Sequence, residues 1–230
     1  LFLTLAIGYG QETKKVDIRQ AASFEINEKL FPEVKILKSN AEIRVHLHHD
    51  GMDIWSDVAY FYETENSFEA EGNVVVKQGD SLKLNSEYIE YSGITKLAIA
   101  KHKVELENNE SILRTDSLFF DRKKQEAYYQ TTGEITSEET VIRSQSGTYV
   151  VNDKKYEFIS NVVVTDPSFT IFSQRMDYYT DVRHAFFYGA TTINGEDYDV
   201  FCNRGFFDSD LKKGYFQDRA TVDYNLRNIR

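Results

Sequence analysis

The side chains best suited to chemistry stand in His46-Leu47-His48-His49-Asp50. On a strand, alternate residues project to one face, so His46 and His48 could approach a single metal ion. That spacing supplies two ligands, and the rest would have to come from elsewhere in the chain. Val45 and Leu47 carry the apolar parity, which turns His46 and His48 toward solvent, and no metal site is assigned. Ser144-Gln145-Ser146-Gly147 has the look of a nucleophile turn but lacks the leading glycine, so Ser144 is read as structural. Asp57, Glu87 and Asp116 recur at edges and turns, and no isolated carboxylate pair stands out for acid–base work. Neither a Gly-rich phosphate loop nor a dinucleotide fingerprint occurs. No cofactor and no catalytic residue is assigned, and the chain is read as not an enzyme.

The elements that position these residues emerge from an internal repeat, which must be sought first because missing it miscalls the fold. Taking Ser56, Ser86, Thr115, Ser144, Ser173 and Cys202 as anchors, the spacings are 30, 29, 29, 29 and 29. Two residues before each anchor stands Ile54, Leu84, Leu113, Ile142, Ile171 or Val200. Five after it stands an aromatic: Phe61, Tyr91, Phe120, Tyr149, Tyr178 or Phe207. Three after it the residue is apolar or small, and twenty after it come Val76, Leu106, Ile135, Val164, Ile193 and Val222.

Each unit also carries two polar breaks, such as Asn152-Asp153-Lys154 and Asn194-Gly195-Glu196-Asp197, whose Asn, Asp and Gly accept turn geometries. A unit is therefore two antiparallel strands, as in Val141 to Val151 followed by Lys155 to Thr165. Twelve such strands are expected, with one or two more before Ile54. Along each first strand the apolar parity switches at the anchor, which a period-two strand achieves only through a bulge or sharp bend. Tyr156, Phe158, Val162 and Val164 keep one parity around Ser160-Asn161, so the second strand is expected to bend less, or to bend there without an extra residue. The expected fold is all-β: an elongated antiparallel β-jellyroll or solenoid of twelve or more strands, built from six 29-residue two-strand repeats around an apolar lumen.

Composition agrees. The 230 residues are 41% hydrophobic and 14% aromatic with two prolines, which suits pleated, half-buried surfaces. The formal net charge of −10 offers no basic field for a phosphate backbone, so nucleic acid is a poor partner. A lone cysteine, Cys202, excludes an intrachain disulfide. Residues 1–10, an apolar run ending Gly8-Tyr9-Gly10, are read as the remnant of a signal peptide, and 11–33 as a lead-in. The array from 34 to 230 ends Ile229-Arg230, which matches Ile142-Arg143, so it is expected to be cut in mid-repeat. Terminal strands of such an array present unpaired backbone groups and invite strand addition.

Residues 56–62 (Ser-Asp-Val-Ala-Tyr-Phe-Tyr), 66–74 (Asn-Ser-Phe-Glu-Ala-Glu-Gly-Asn-Val) and 78–82 (Gln-Gly-Asp-Ser-Leu) resemble the hallmark run of OstA-like (LptA-type) proteins, and 115–122 with Ala127 and Gly133 repeat it. The resemblance spans 34–230 and implies an OstA-like domain: a β-jellyroll open along one side, exported to the periplasm, whose interior holds the acyl chains of lipopolysaccharide. It further implies end-to-end homo-oligomers by edge-strand pairing, and a bridge from inner-membrane transporter components to an outer-membrane barrel. The lumen residues expected to line the lipid are Ile54, Phe61, Leu84, Tyr91, Leu106, Leu113, Phe120, Ile142, Tyr149, Phe158, Ile171 and Tyr178. The same ladder could be ordinary core, which leaves a structural or adhesive β-solenoid without a lipid ligand as the alternative. A carbohydrate-active β-helix enzyme would need acids projecting into a cleft from adjacent units, and two strands per unit rather than three argue against it.

Overall fold

The computed structural model describes residues 15–26, 33–108 and 111–224. The signal-like residues 1–10 and the closing Ile229-Arg230 lie outside the described residues. Twenty strands and no helix occur among the described residues, and the strand pairs are antiparallel. Packing divides the described residues into two compact units, one from those up to 108 with 114–124, the other from 111–113 and 125–224.

The N-terminal unit holds β1 (Asp17–Gln20), β2 (Ser23–Ile26), β3 (Val34–Lys38), β4 (Val45–His49), β5 (Met52–Ser56), β6 (Val58–Tyr62), β7 (Ser67–Gln78), β8 (Leu82–Tyr91), β9 (Leu97–Asn108) and most of β10 (Ser111–Asp121). The C-terminal unit starts with the first residues of β10. It continues with β11 (Glu126–Tyr129), β12 (Gly133–Ser137), β13 (Thr140–Ser144), β14 (Ser146–Val150), β15 (Lys155–Asp166), β16 (Phe169–Tyr179), β17 (His184–Gly195), β18 (Tyr198–Asp208), β19 (Lys213–Gln217) and β20 (Thr221–Tyr224).

Twenty strands stand where twelve and one or two more were expected, because the corners divide single bent strands in two. β13 pairs with one end of β15 and β14 with the other, and β18 likewise takes β20 and β19. The anchor residue sits at the bend. Its hydroxyl reaches forward to the carbonyl two residues on: Ser56 to Val58, Ser86 to Tyr88, Ser144 to Ser146 and Ser173 to Arg175, at 2.9–3.0 Å. These hydroxyls are buried, and a hydrogen bond of this kind contributes about 0.5–1.5 kcal/mol. That is why a small hydroxyl recurs there. Cys202 occupies the same place, fully buried, and burial raises its thiol pKa.

The expectation that the second strand bends less, or bends without an extra residue, is corrected by the register. Ile159 faces Arg175 and Val162 faces Ser173, so three steps on β15 span two on β16. The same excess falls on β7 against β8 and on β17 against both β16 and β18. The extra residue is absorbed by left-handed backbone at Gly72-Asn73, His102-Lys103, Ser160-Asn161, Gly189 and Asp218-Arg219. Parity is preserved across four residues because the corner turns both flanking side chains inward.

Two bent strands precede β5, as expected, each divided at a corner, into β1 and β2 and into β3 and β4. Gln20 and Trp55 both pair with His46, which puts Ala21 in the place of Ser56 in an earlier unit that the spacing did not reveal. That unit's corner is a loop at residues 39–44, held by Asn40 Oδ1 accepting from the Glu42 and Ile43 amides.

Cross-strand pairing lines up three inward rows in each unit. An aliphatic row runs Leu47, Ile54, Val76, Leu84, Leu106 in one unit and Ile135, Ile142, Val164, Ile171, Ile193, Val200 in the other. An aromatic-rich row runs Phe61, Phe68, Tyr91 in the first and Tyr149, Tyr156, Tyr178, Ala185, Phe207 in the second. Between them, beside the corner, lies a deep row that includes Ala59, Ala70 and Ile89, and Phe158, Met176 and Phe187.

Candidate functional site

Ten of the twelve ladder residues, all but Leu113 and Phe120, fall on these rows, and burial sorts the twelve. In the N-terminal unit Ile54, Phe61, Leu84 and Tyr91 are buried, whereas Leu106 and Phe120 are half-buried. In the C-terminal unit Tyr149, Phe158 and Ile171 are buried, whereas Leu113, Ile142 and Tyr178 are half-buried. Leu113, Ile142 and Tyr178 pack against a closed cluster that includes Phe158, Val164, Met176 and Phe187, joined by half-buried Tyr156, Phe169, Phe207 and Phe216. Phe158 stands apart from the other eleven because it belongs to the deep row, which is shut throughout its middle strands.

Aromatic contacts knit the lining. Tyr156 lies 4.6 Å from Tyr149 and 5.5 Å from Phe158 between ring centroids, and burial drives its phenol pKa well above the usual range. Tyr129, buried at the start of the deep row, donates or accepts a 2.6 Å hydrogen bond with Ser144 Oγ. In the N-terminal unit Tyr91 sits 5.9 Å from Phe68 and 4.6 Å from His49.

Two polar groups on the inward face were not foreseen. Lys35 pairs across strands with Phe61, its ammonium 5.8 Å from the ring, and forms an ion pair with Glu63. His49 is 2% exposed, Arg122 donates to its Nε2 at 3.2 Å, and Arg122 also pairs with Asp50. Burial, with help from the Arg122 charge, lowers the His49 pKa to about 4, so the ring is neutral at ordinary pH. The signal for His49 was in the sequence: it shares the parity of Val45 and Leu47, both fully buried.

His46 and His48 are half-buried on the outer face, rather than turned fully to solvent. Both donate to one oxygen, Asp53 Oδ1, at 2.7 and 3.0 Å, which holds the Asp53 carboxyl below its usual range. The His46 ring stacks on Trp55 at 4.7 Å. Among the described residues no group of three His, Cys, Asp or Glu is placed to hold a metal ion. The recurring acids clasp the corners: Asp57 accepts from Asn73 Nδ2 at 2.7 Å, Glu87 pairs with Lys103, and Asp116 faces His102 at 3.7 Å. Ser144 is a corner hydroxyl bonded to backbone and to Tyr129, without a base beside it.

The model of the family described as "OstA-like protein" matches residues 13–174, more than half of the chain. The chain belongs to the OstA-like family. Among curated proteins none matches it. Among solved structures, this OstA-like chain is similar to the crystal structure of LptH, the LptA-homologous periplasmic component of the conserved lipopolysaccharide transport device from Pseudomonas aeruginosa. Identity is 15%, the match covers 76% of this chain and 94% of LptH, and the TM-score is 0.26.

Proposed function

We propose that this OstA-like chain is a non-catalytic periplasmic carrier that holds lipopolysaccharide acyl chains on its inward rows. In this reading it bridges inner-membrane transporter components to an outer-membrane barrel. The observation that carries the proposal is the half-buried state of Leu113, Ile142 and Tyr178, apolar side chains that rest on a closed core without being shut in. An acyl chain laid along them gains about 0.8 kcal/mol for each methylene removed from water. Family membership supports the same reading.

Exposed strand edges support end-to-end assembly as part of this reading. Phe24 pairs with Leu37 and so extends the deep row onto β2, where Phe24 and Ile26 are about half exposed. β20 is exposed along its whole length, with Val222 and Tyr224 open. An exposed edge strand with inward-facing apolar residues favours strand addition by a second copy.

The closed deep row around Phe158 and Phe187 favours a second reading, a structural β-solenoid without lipid. Native mass spectrometry of the protein purified from a periplasmic extract separates the two. Glycolipid at near-stoichiometric occupancy is expected; folded protein free of lipid would overturn the carrier reading in favour of the scaffold.

A further inference from the structure

The bent strands of the N-terminal unit contribute to two sheets that meet at the corners. β1, β4 and β5 pair in turn and join the second half of β7, while β2, β3 and β6 pair in turn and join its first half. The strand ends farthest from the corners form the mouth of the unit. On the first side His49 and Asp50 stand at the end of β4. On the second, Tyr91 and Arg122 stand at the ends of β8 and β10, where Tyr91 pairs with Phe68 and the Arg122 amide donates to the Lys96 carbonyl.

Three contacts of these residues cross the mouth. The His49 and Tyr91 rings lie 4.6 Å apart, Arg122 donates to His49 Nε2 at 3.2 Å, and the same guanidinium forms an ion pair with Asp50. Between the same two sides the Val16 amide donates to Asn66 Oδ1 at 2.7 Å. With the mouth closed, Tyr91 and Phe68 are 4% and 3% exposed. The C-terminal unit closes differently: Phe169, at the start of β16, meets Phe207, near the end of β18, ring to ring at 6.1 Å, a contact that does not titrate.

His49 is seated well in one protonation state and completely in none. A guanidinium has donors and no acceptor, so Nε2 must offer its lone pair and the ring proton belongs on Nδ1. Nδ1 is buried without a hydrogen bond, and the Lys15 carbonyl, which favours a charged ring, closes none with it. A second proton would fill the lone pair that Arg122 uses and set a cation against the guanidinium. Lys96 and His48 add to the repulsion, and Asp50 is already engaged by Arg122. Burial is the larger obstacle, and together these hold the ring neutral, its pKa lowered from 6.5 to about 4.

We propose that His49, Asp50 and Arg122 form an acid-sensitive latch across the mouth of the N-terminal unit: a proton on His49 parts the two strand ends and opens the mouth to water. The closed form refuses a proton that the hydrated ring of the open form accepts, so closure is fully favoured above pH 6.5 and weakens as pH falls toward 4. Between pH 7 and pH 4.5 one such proton shifts the balance toward the open form by about fiftyfold. The latch is a property of the chain itself and holds whether or not the inward rows carry lipid.

Hydroxyl-radical footprinting of the full chain, with oxidised residues located by mass spectrometry, reads the mouth directly. From pH 7 to pH 4.5 oxidation of Tyr91 and Phe68 is expected to rise severalfold, while Phe158 and Phe187, shut inside the C-terminal unit at 0% and 1% exposure, stay silent. Asp50→Asn removes the ion pair but not the titrating ring, and is expected to bring the rise to higher pH. His49→Gln keeps an acceptor for Arg122 and cannot titrate, so its Tyr91 labelling is expected to be the same at both pH values. If His49→Gln fails to fold by circular dichroism, His49→Leu, apolar like Val45 and Leu47 on the same face, carries the same expectation. Tyr91 silent at pH 4.5 in both wild type and Asp50→Asn, an undiminished rise in a folded His49 variant, or oxidation of Phe158 and Phe187 in step with Tyr91 would overturn the latch.

Discussion

Ser173 Oγ lies 2.8 Å from Thr191 Oγ1, and both hydroxyls are buried at the corner where β16 and β17 bend together. Ser173 also reaches the Arg175 carbonyl at 3.0 Å and Thr191 the Gly189 carbonyl at 3.1 Å. With one hydrogen each, the two hydroxyls can satisfy two of these three contacts at a time. Ser173→Ala is expected to lower unfolding stability by about 1 kcal/mol, measured by urea titration, because it removes the part-buried hydrogen bond to the Arg175 carbonyl. Ser173→Cys should cost less, since Cys202 fills the equivalent position in the next repeat.

Tyr129 fills the space above Gly147 and Gly133, and its hydroxyl bonds Ser144. Gly147→Ala is expected to destabilise by about 1–3 kcal/mol, the range for overpacking a filled core. Tyr129→Phe removes only the hydrogen bond and should cost about 1 kcal/mol. Thermal melting of the two variants checks the order.

The corners require left-handed backbone whatever residue occupies them, with φ of +81° at Gly189 and +63° at Ser160. Gly189→Ala is expected to destabilise by about 1–2 kcal/mol through its left-handed backbone, with the flexible Gln174 amide moving aside for the Cβ. Ser160→Gly removes the same penalty and should be neutral or stabilising. A loss of stability in Ser160→Gly matching that in Gly189→Ala would contradict the corner geometry.

His49 supplies a pH dependence. Its folded pKa is lowered from 6.5 to about 4, so as pH falls below 6.5 the unfolded chain takes up a proton that the folded one refuses. The stabilisation is complete above pH 6.5 and is lost as pH falls toward 4, by up to about 3 kcal/mol. His49→Phe should flatten this part of the stability–pH curve, read from chemical denaturation at a series of pH values. Asp53, whose folded pKa is lowered by His46 and His48, loses its contribution at lower pH, as its own carboxyl protonates.

Much of this was legible from spacing alone. The anchors Ser56 to Cys202 mark the corners, because a buried hydroxyl or thiol at a bend is a steric and hydrogen-bonding requirement that recurs with the bend. The corner on the second strand was not legible, since Gly72, His102, Ser160 and Asp218 share a backbone conformation and no side-chain chemistry. The unit before Ser56 was hidden for a related reason: Ala21 lacks the hydroxyl, and the loop at 39–44 shifts the spacing. The match of Gly147 to Tyr129 depends on which residues pair across strands, and a sequence read one unit at a time does not contain it.

The carrier account stands or falls on what touches the half-buried inward side chains. Photo-crosslinking residues placed in living cells at Phe120 and Tyr178, with outward-facing, 46% exposed Phe172 as control, measure this directly. The account expects lipopolysaccharide adducts at Phe120 and Tyr178 and none at Phe172. Silent inward probes in folded protein, or equal labelling at Phe172, would contradict it.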